Sequence, residues 1–87
     1  MDNLNFSNHL GFNNWNDLMK KSQCIAIENT RSWYIVNTPT WYKWVVWSTN
    51  YDMFLNHCTN NDAINTLRHF FNRNGVTEFK WCLETAL

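Results

Sequence analysis

A small α+β domain built on an antiparallel sheet is predicted by three features of this sequence. Three successive runs rich in Ile, Val, Trp and Tyr lie between Cys24 and Ser48, the residue types that fit a pleated, half-buried surface. Ala63, Ile64, Leu67, Phe70 and Phe71 form an apolar stripe at helical spacing, followed by Gly75 as a left-handed stop. From Val76 to Glu84, Phe79, Trp81 and Leu83 alternate with Glu78, Lys80 and Cys82, as in a strand with one buried side. The expected architecture is a sheet of three to four strands with two or three helices packed mainly on one face. At 87 residues the chain is expected to form one domain.

The first helix is expected after Gly11-Phe12, capped by Asn13 or Asn14, with Trp15, Leu18 and Met19 on its apolar side and Lys20 and Lys21 at its end. Strands are expected over Cys24 to Glu28, Ser32 to Asn37 and Trp41 to Ser48. A turn at Asn37-Thr38-Pro39-Thr40 sets Val36 opposite Trp41, Tyr34 opposite Lys43 and Trp33 opposite Trp44. Directly opposed residues share a face. One face then holds Trp33, Ile35, Tyr42, Trp44 and Val46, and the other holds Ser32, Tyr34, Val36, Trp41, Lys43, Val45 and Trp47.

A three-residue loop Asn29-Thr30-Arg31 adds Ile25 and Ile27 to the first face and Ala26 and Glu28 to the second, whereas a two-residue loop reverses this. The three-residue form is preferred because it gathers the Ile residues on the uncharged face. For residues 50–58, Tyr51, Phe54, Leu55 and Cys58 fit a short helix, while Tyr51, Met53 and Leu55 also alternate as in a strand; the helix is favoured. The helix from Asp62 to Asn74 is the best specified element, and the Trp15 helix is expected to complete its cover of the same face.

Seven basic and seven acidic side chains cancel. That balance speaks against a general nucleic-acid binder, which carries a basic excess, and against an acidic mimic of nucleic acid. Fifteen asparagines against one glutamine suit loops and helix starts, where Asn bonds nearby backbone. Cys24, Cys58 and Cys82 are an odd, widely spaced set without a CxxC, which reads as neither a disulfide framework nor a zinc site. The N-terminus has no signal-peptide pattern and no apolar run reaches membrane-spanning length. The expected setting is a reducing cytoplasm.

No P-loop, GxGxxG, GxSxG or HExxH motif occurs, so no catalytic residue, cofactor or metal is assigned. His57 and Cys58 are neighbours that point apart on one element, and Asp62 and His69 stand two helical turns apart, too far for an acid–base pair. The aromatic run carries the functional expectation. Tyr34, Trp41, Lys43 and Trp47 fall on the face that carries a central lysine, and Tyr and Trp dominate binding hot spots. The expected function is therefore a non-enzymatic inhibitor that binds a protein and acts by occluding its surface, of the kind that phages use against a host defence complex or that caps a toxin. A homodimer burying the same face is the structural rival. The alternative is a single-stranded nucleic-acid or regulatory module using the aromatic face with Arg68, Arg73 and Lys80.

Overall fold

The computed structural model describes residues 1–56 and 60–82. Among these residues eight elements follow one another: helices α1 (Asn3–His9) and α2 (Trp15–Lys21), strands β1 (Gln23–Glu28), β2 (Arg31–Asn37), β3 (Trp44–Ser48) and β4 (Met53–Asn56), helix α3 (Asn60–Arg73) and strand β5 (Phe79–Trp81). The strands make one five-stranded sheet in the order β4-β3-β2-β1-β5, every pair antiparallel. The α+β class is as the sequence predicts, with five strands rather than three or four. No helix among the described residues is long and apolar enough to cross a membrane.

Each face of the sheet has its own core. Trp33, Ile35 and Val46 pack with Ile25, Ala26 and the stripe Ala63, Ile64, Leu67 and Phe71 of α3. Val36, Val45 and Trp47 pack with Phe6 and Leu10 from the α1 segment, Phe12, and Leu18 of α2. The Trp15 helix therefore lies against the sheet face opposite α3, which corrects the expectation of helices mainly on one face. Central strands buried on both sides read as continuous apolar runs, and Ile35-Val36 and Val45-Val46-Trp47 are such runs, each residue at most 3% exposed.

Helix α1 is an addition to the elements that the sequence predicts. Asp2 caps it, accepting a hydrogen bond from the Asn5 N–H at 2.8 Å, and Phe6 and Leu10, four residues apart, are its buried anchors. Asn14 caps α2 through the Asp17 N–H, one of the two caps expected there.

Register departs from the sequence reading in two places. Tyr34 pairs with Trp47, Val36 with Val45 and Trp33 with Ser48, so β2 and β3 are offset from the expected pairing by four positions. An even offset keeps every residue of 33–36 and 44–47 on its expected face. It also shortens β3, leaving Trp41, Tyr42 and Lys43 in a loop. At the other edge of β2, Glu28 pairs with Arg31 across the two-residue turn Asn29-Thr30, so the three-residue loop is overturned.

That tighter turn alone would carry Ile25 away from α3. A β-bulge between Cys24 and Ala26 restores it: two consecutive residues, Ile25 and Ala26, both face α3 and are fully buried. Ile27 is left on the other side, 46% exposed. Glu28 also changes sides, its Oε2 accepting a hydrogen bond from the Trp33 indole N–H at 3.1 Å.

Residues 53–56 form strand β4 rather than a helix, which corrects the preference there; His57 and Cys58 lie outside the described residues. Ser48 decides the outcome. Its hydroxyl accepts from the Asn50 and Asp52 N–H groups and donates to the Asp52 carboxylate at 2.6 Å, with Tyr51 at φ 68°. This turn sends the chain back along β3, where Met53 pairs with Trp47. Strand β5 is shorter than the expected 76–84 span; its residues 79–81 pair with β1 and place Phe79 and Trp81 beside α3, and residues from 83 onward lie outside the described part.

Candidate functional site: the Trp41 loop

Residues 38–43 connect β2 to β3 in a loop organised by threonine hydroxyls. Thr38, itself buried, shares a hydrogen bond with the Thr40 hydroxyl at 2.7 Å and accepts the Thr40 N–H. The Thr40 hydroxyl in turn accepts the Tyr42 N–H at 3.2 Å. Lys43 leaves the loop at φ 64°, a conformation that a non-glycine residue adopts only under local constraint. Such bonds, typical of Ser and Thr in turns, hold the loop together with the Thr38 N–H to Lys43 carbonyl bond, which carries the β2–β3 ladder one position further.

The turn between α1 and α2 buttresses it. Gly11 sits at φ +89°, and a Cβ there would lie 2.8 Å from both Pro39 Cγ and Thr40 Cγ2. Only glycine allows the backbone this approach. Beside the contact an open cleft of about 410 Å³ is lined by Gly11, Asn13, Asp17, Lys21, Asn37 and Thr38.

Trp41 stands at the tip. It is 77% exposed, whereas the other five tryptophans are buried or half-buried. Its ring lies 4.7 Å from that of Tyr42, which lies 5.5 Å from His9 and shares a hydrogen bond with His9 Nε2 at 3.1 Å. The three rings form a short ladder running from α1 to the loop tip.

The four residues expected to share a partner surface are thus separated. Trp47 is fully buried, stacked on Tyr34 at 4.7 Å and packed edge-on against Trp15 at 5.3 Å, with its indole N–H donating to Ser22 Oγ at 3.0 Å. It is a core residue, a correction that comes from the cover by α1 and α2. Tyr34 is half-buried against it. Only Trp41 and Lys43, two residues apart in the loop, remain exposed. Lys43 makes none of the cation–π contacts found among the described residues. Those belong to Arg31, over Trp33 and Phe70, and to Arg68, over Trp81.

The basic set of the alternative reading is dispersed as well. Arg68 leans over Trp81 in edge strand β5, while Arg73 lines a hollow with Phe54 of the opposite edge strand β4, His69 and Phe70. Lys80 lies between Phe79 and Trp81 and so points to the sheet face away from α3.

Sequence reasoning missed one charged network. Arg31 Nε donates to Glu28 Oε1 at 2.7 Å and its Nη1 to Asp52 Oδ2 at 2.8 Å, with the guanidinium 5.0 Å from the Trp33 ring. Burial works against the charge on Arg31, but the bonds and opposite charges of Glu28 and Asp52 outweigh it and hold its pKa above the ordinary value. The network ties the β1–β2 turn to the Ser48–Asp52 turn, and each of its partners is satisfied within the fold. Glu28 and Arg31 flanking a two-residue turn were the available signal. Asp52, twenty-one residues on, could be found only from the topology.

Among the described residues no group of three or more His, Cys, Asp or Glu side chains could hold a metal ion. No known protein family, curated protein or solved structure matches this chain.

Proposed function

We propose that this chain is a non-enzymatic protein-binding module whose anchor is Trp41, presented on the loop of residues 38–43. The observation that carries the reading is an indole 77% exposed on a loop whose backbone is held by its own threonines and by Gly11. A large exposed aromatic on a pre-ordered loop loses little conformational freedom on docking, which is how few residues come to dominate an interface. Tyr42 and His9 extend the apolar surface behind it, and Lys43 supplies one cation at its rim.

The mode of action is occlusion of a partner's surface, which asks of this chain only a rigid anchor and no reactive group. A host defence complex or a toxin is the class of partner proposed. The test is titration of the chain and of Trp41→Ala against the partner recovered with it from its native cell, by calorimetry at two salt concentrations. Trp41→Ala should weaken binding by about 2 kcal/mol or more, about 30-fold, at unchanged melting temperature. Equal affinity of the two proteins overturns the anchor. A steep fall of affinity with salt on an oligonucleotide would favour the nucleic-acid reading instead. Self-association lost in Trp41→Ala, seen by sedimentation, would make the partner a second copy.

A further inference from the structure

Cys24 and Cys82, fifty-eight residues apart, bring their Sγ atoms to 2.7 Å. Two features of the fold cause this. The Cys82 N–H donates to the Ile25 carbonyl at 2.8 Å, carrying the β1–β5 ladder one residue past Trp81. The bulge then sets the side: in a regular strand Cys24 would share the face of Ala26, beneath α3. With Ile25 and Ala26 both facing α3, Cys24 turns to the opposite face, where alternation along β5 also places Cys82. Re-aiming a side chain in this way is a recurrent use of a bulge. Cys82 is exposed and Cys24 half-buried, so the pair is reachable from solution.

We propose that Cys24 and Cys82 are a redox pair that closes reversibly into a cross-strand disulfide, fastening edge strand β5 to β1. A bond of about 2.05 Å requires the sulfurs to approach by less than about 1 Å. Among the described residues, β5 is tied into the sheet by the pairing of residues 79–81 with β1 and by the bond to Ile25. It delivers Phe79, 4.4 Å from Phe71, and Trp81 to the α3 core. A covalent tie at its end fixes that packing.

The oxidant is a low-molecular-weight disulfide, R–S–S–R. Burial first, and then the bond to and charge of Cys82, push the Cys24 thiol up to about 12, so the exposed Cys82 reacts first. Cys82 gives its proton to water, and its thiolate attacks one sulfur of R–S–S–R. The Cys82–S–R bond forms, the R–S–S–R bond breaks, and R–S⁻ leaves with the electron pair and takes up a proton. Capture removes the Cys82 charge and bond that held the Cys24 proton. Cys24 then loses that proton to water and attacks Cys82 Sγ. The Cys24–Cys82 bond forms and the second R–S⁻ leaves and is protonated. Two protein thiols are oxidised by two electrons and one R–S–S–R becomes two R–SH. An excess of R–SH reverses both steps.

The probe is oxidised glutathione mixed with glutathione at graded ratios, acting on the full chain, followed by alkylation, intact mass and a non-reducing peptide map. Expected is a monomer lighter by two hydrogens, with the Cys24 and Cys82 peptides joined, Cys58 alkylated, and full reversal by dithiothreitol. Cys24→Ser should stall as a glutathione adduct at Cys82. Closure in the wild type should quicken as the pH rises from about 7 to about 9, because each of its two attacks requires a thiolate. The oxidised form should melt at least about 5 °C higher and exchange the amide hydrogens of residues 79–82 more slowly. Three alkylatable thiols in excess oxidised glutathione, or a bridge that includes Cys58 or a second chain, would overturn the pairing. Unchanged melting and exchange in a correctly bridged protein would overturn the fastening of β5.

Discussion

Replacing Trp47 with alanine separates the core this fold requires from the surface role that the aromatic pattern suggests. Its indole is 0% exposed, in ring contact with Tyr34, Trp15 and Phe6 at 4.7, 5.3 and 5.6 Å, and hydrogen-bonded to Ser22. Burying about 150–250 Å² of aromatic side chain at about 25 cal/mol per Å² corresponds to roughly 4–6 kcal/mol. Large-to-small changes of this type measure about 3–5 kcal/mol. A domain of this length has about 4–13 kcal/mol in total. Trp47→Ala should therefore remove about 4 kcal/mol and bring the protein near its unfolding threshold. Trp41→Ala, at a side chain 77% exposed, should stay within about 0.5 kcal/mol of wild type. Urea unfolding followed by far-ultraviolet circular dichroism measures both without relying on the indole removed. The Trp47 midpoint should fall by about 2–4 M, or the folded baseline should vanish. A Trp47→Ala protein within about 1 kcal/mol of wild type would refute the pairing of Tyr34 with Trp47, because a one-residue slip of β3 is what would turn that indole to solvent.

Two further substitutions test the supports around the loop and the turns. Arg31→Ala leaves the Glu28 carboxylate, whose side chain is 8% exposed, with the Trp33 N–H as its remaining side-chain partner. A loss of about 3 kcal/mol in urea unfolding is expected, and a loss below about 0.5 kcal/mol would show the network to be a screened surface pair. Gly11→Ala and Gly75→Ala both place a Cβ at positive φ, which costs about 1 kcal/mol. Only at Gly11 does that Cβ meet the Pro39 and Thr40 side chains at 2.8 Å, while at Gly75 nothing lies within 4 Å. The Gly11 variant should therefore lose at least about 1 kcal/mol more and alter Trp41 fluorescence; equal losses would show that the loop does not rest on Gly11.

What the sequence disclosed was parity and helical phase. The α3 stripe and the Asn14 cap needed only local spacing, and the division of residues 33–36 and 44–47 between two faces survived because the pairing moved by an even number of positions. What it concealed was set by backbone conformations that the residue types do not advertise. Lys43 at φ 64° and Tyr51 at φ 68° precede a strand that begins later than expected and a strand that replaces an expected helix, and neither residue is a glycine or an asparagine. The face holding Trp47 looks like a partner surface only while α1 goes unrecognised, although Asp2 with Phe6 and Leu10 at i, i+4 carries the signal of a capped, docked helix. The thiol pair was hidden by strict alternation, which assigns Cys24 to the wrong side.

The bulge in β1 breaks that alternation for a reason that lies in the α3 core. With a two-residue turn at Asn29-Thr30, a regular β1 would offer α3 only Cys24, Ala26 and Glu28, and would leave Ile25 beside Ile27 on the other face. There Ile27 is already 46% exposed, so that margin of the sheet is poorly covered. Inserting one residue exchanges Cys24 for Ile25 in the α3 core, where full burial of the Ile is worth about 1.5–3 kcal/mol, less the smaller contribution of the thiol it replaces. The cost is a disturbed ladder, about 0.5–1.5 kcal/mol for a lost hydrogen bond. Core packing alone therefore favours the bulge. The same insertion turns Cys24 toward Cys82, so the thiol contact is a consequence of burying Ile25 and needs no separate structural cause. Its chemistry then depends on β5 as well as on Cys24, because that edge strand carries Cys82 into reach.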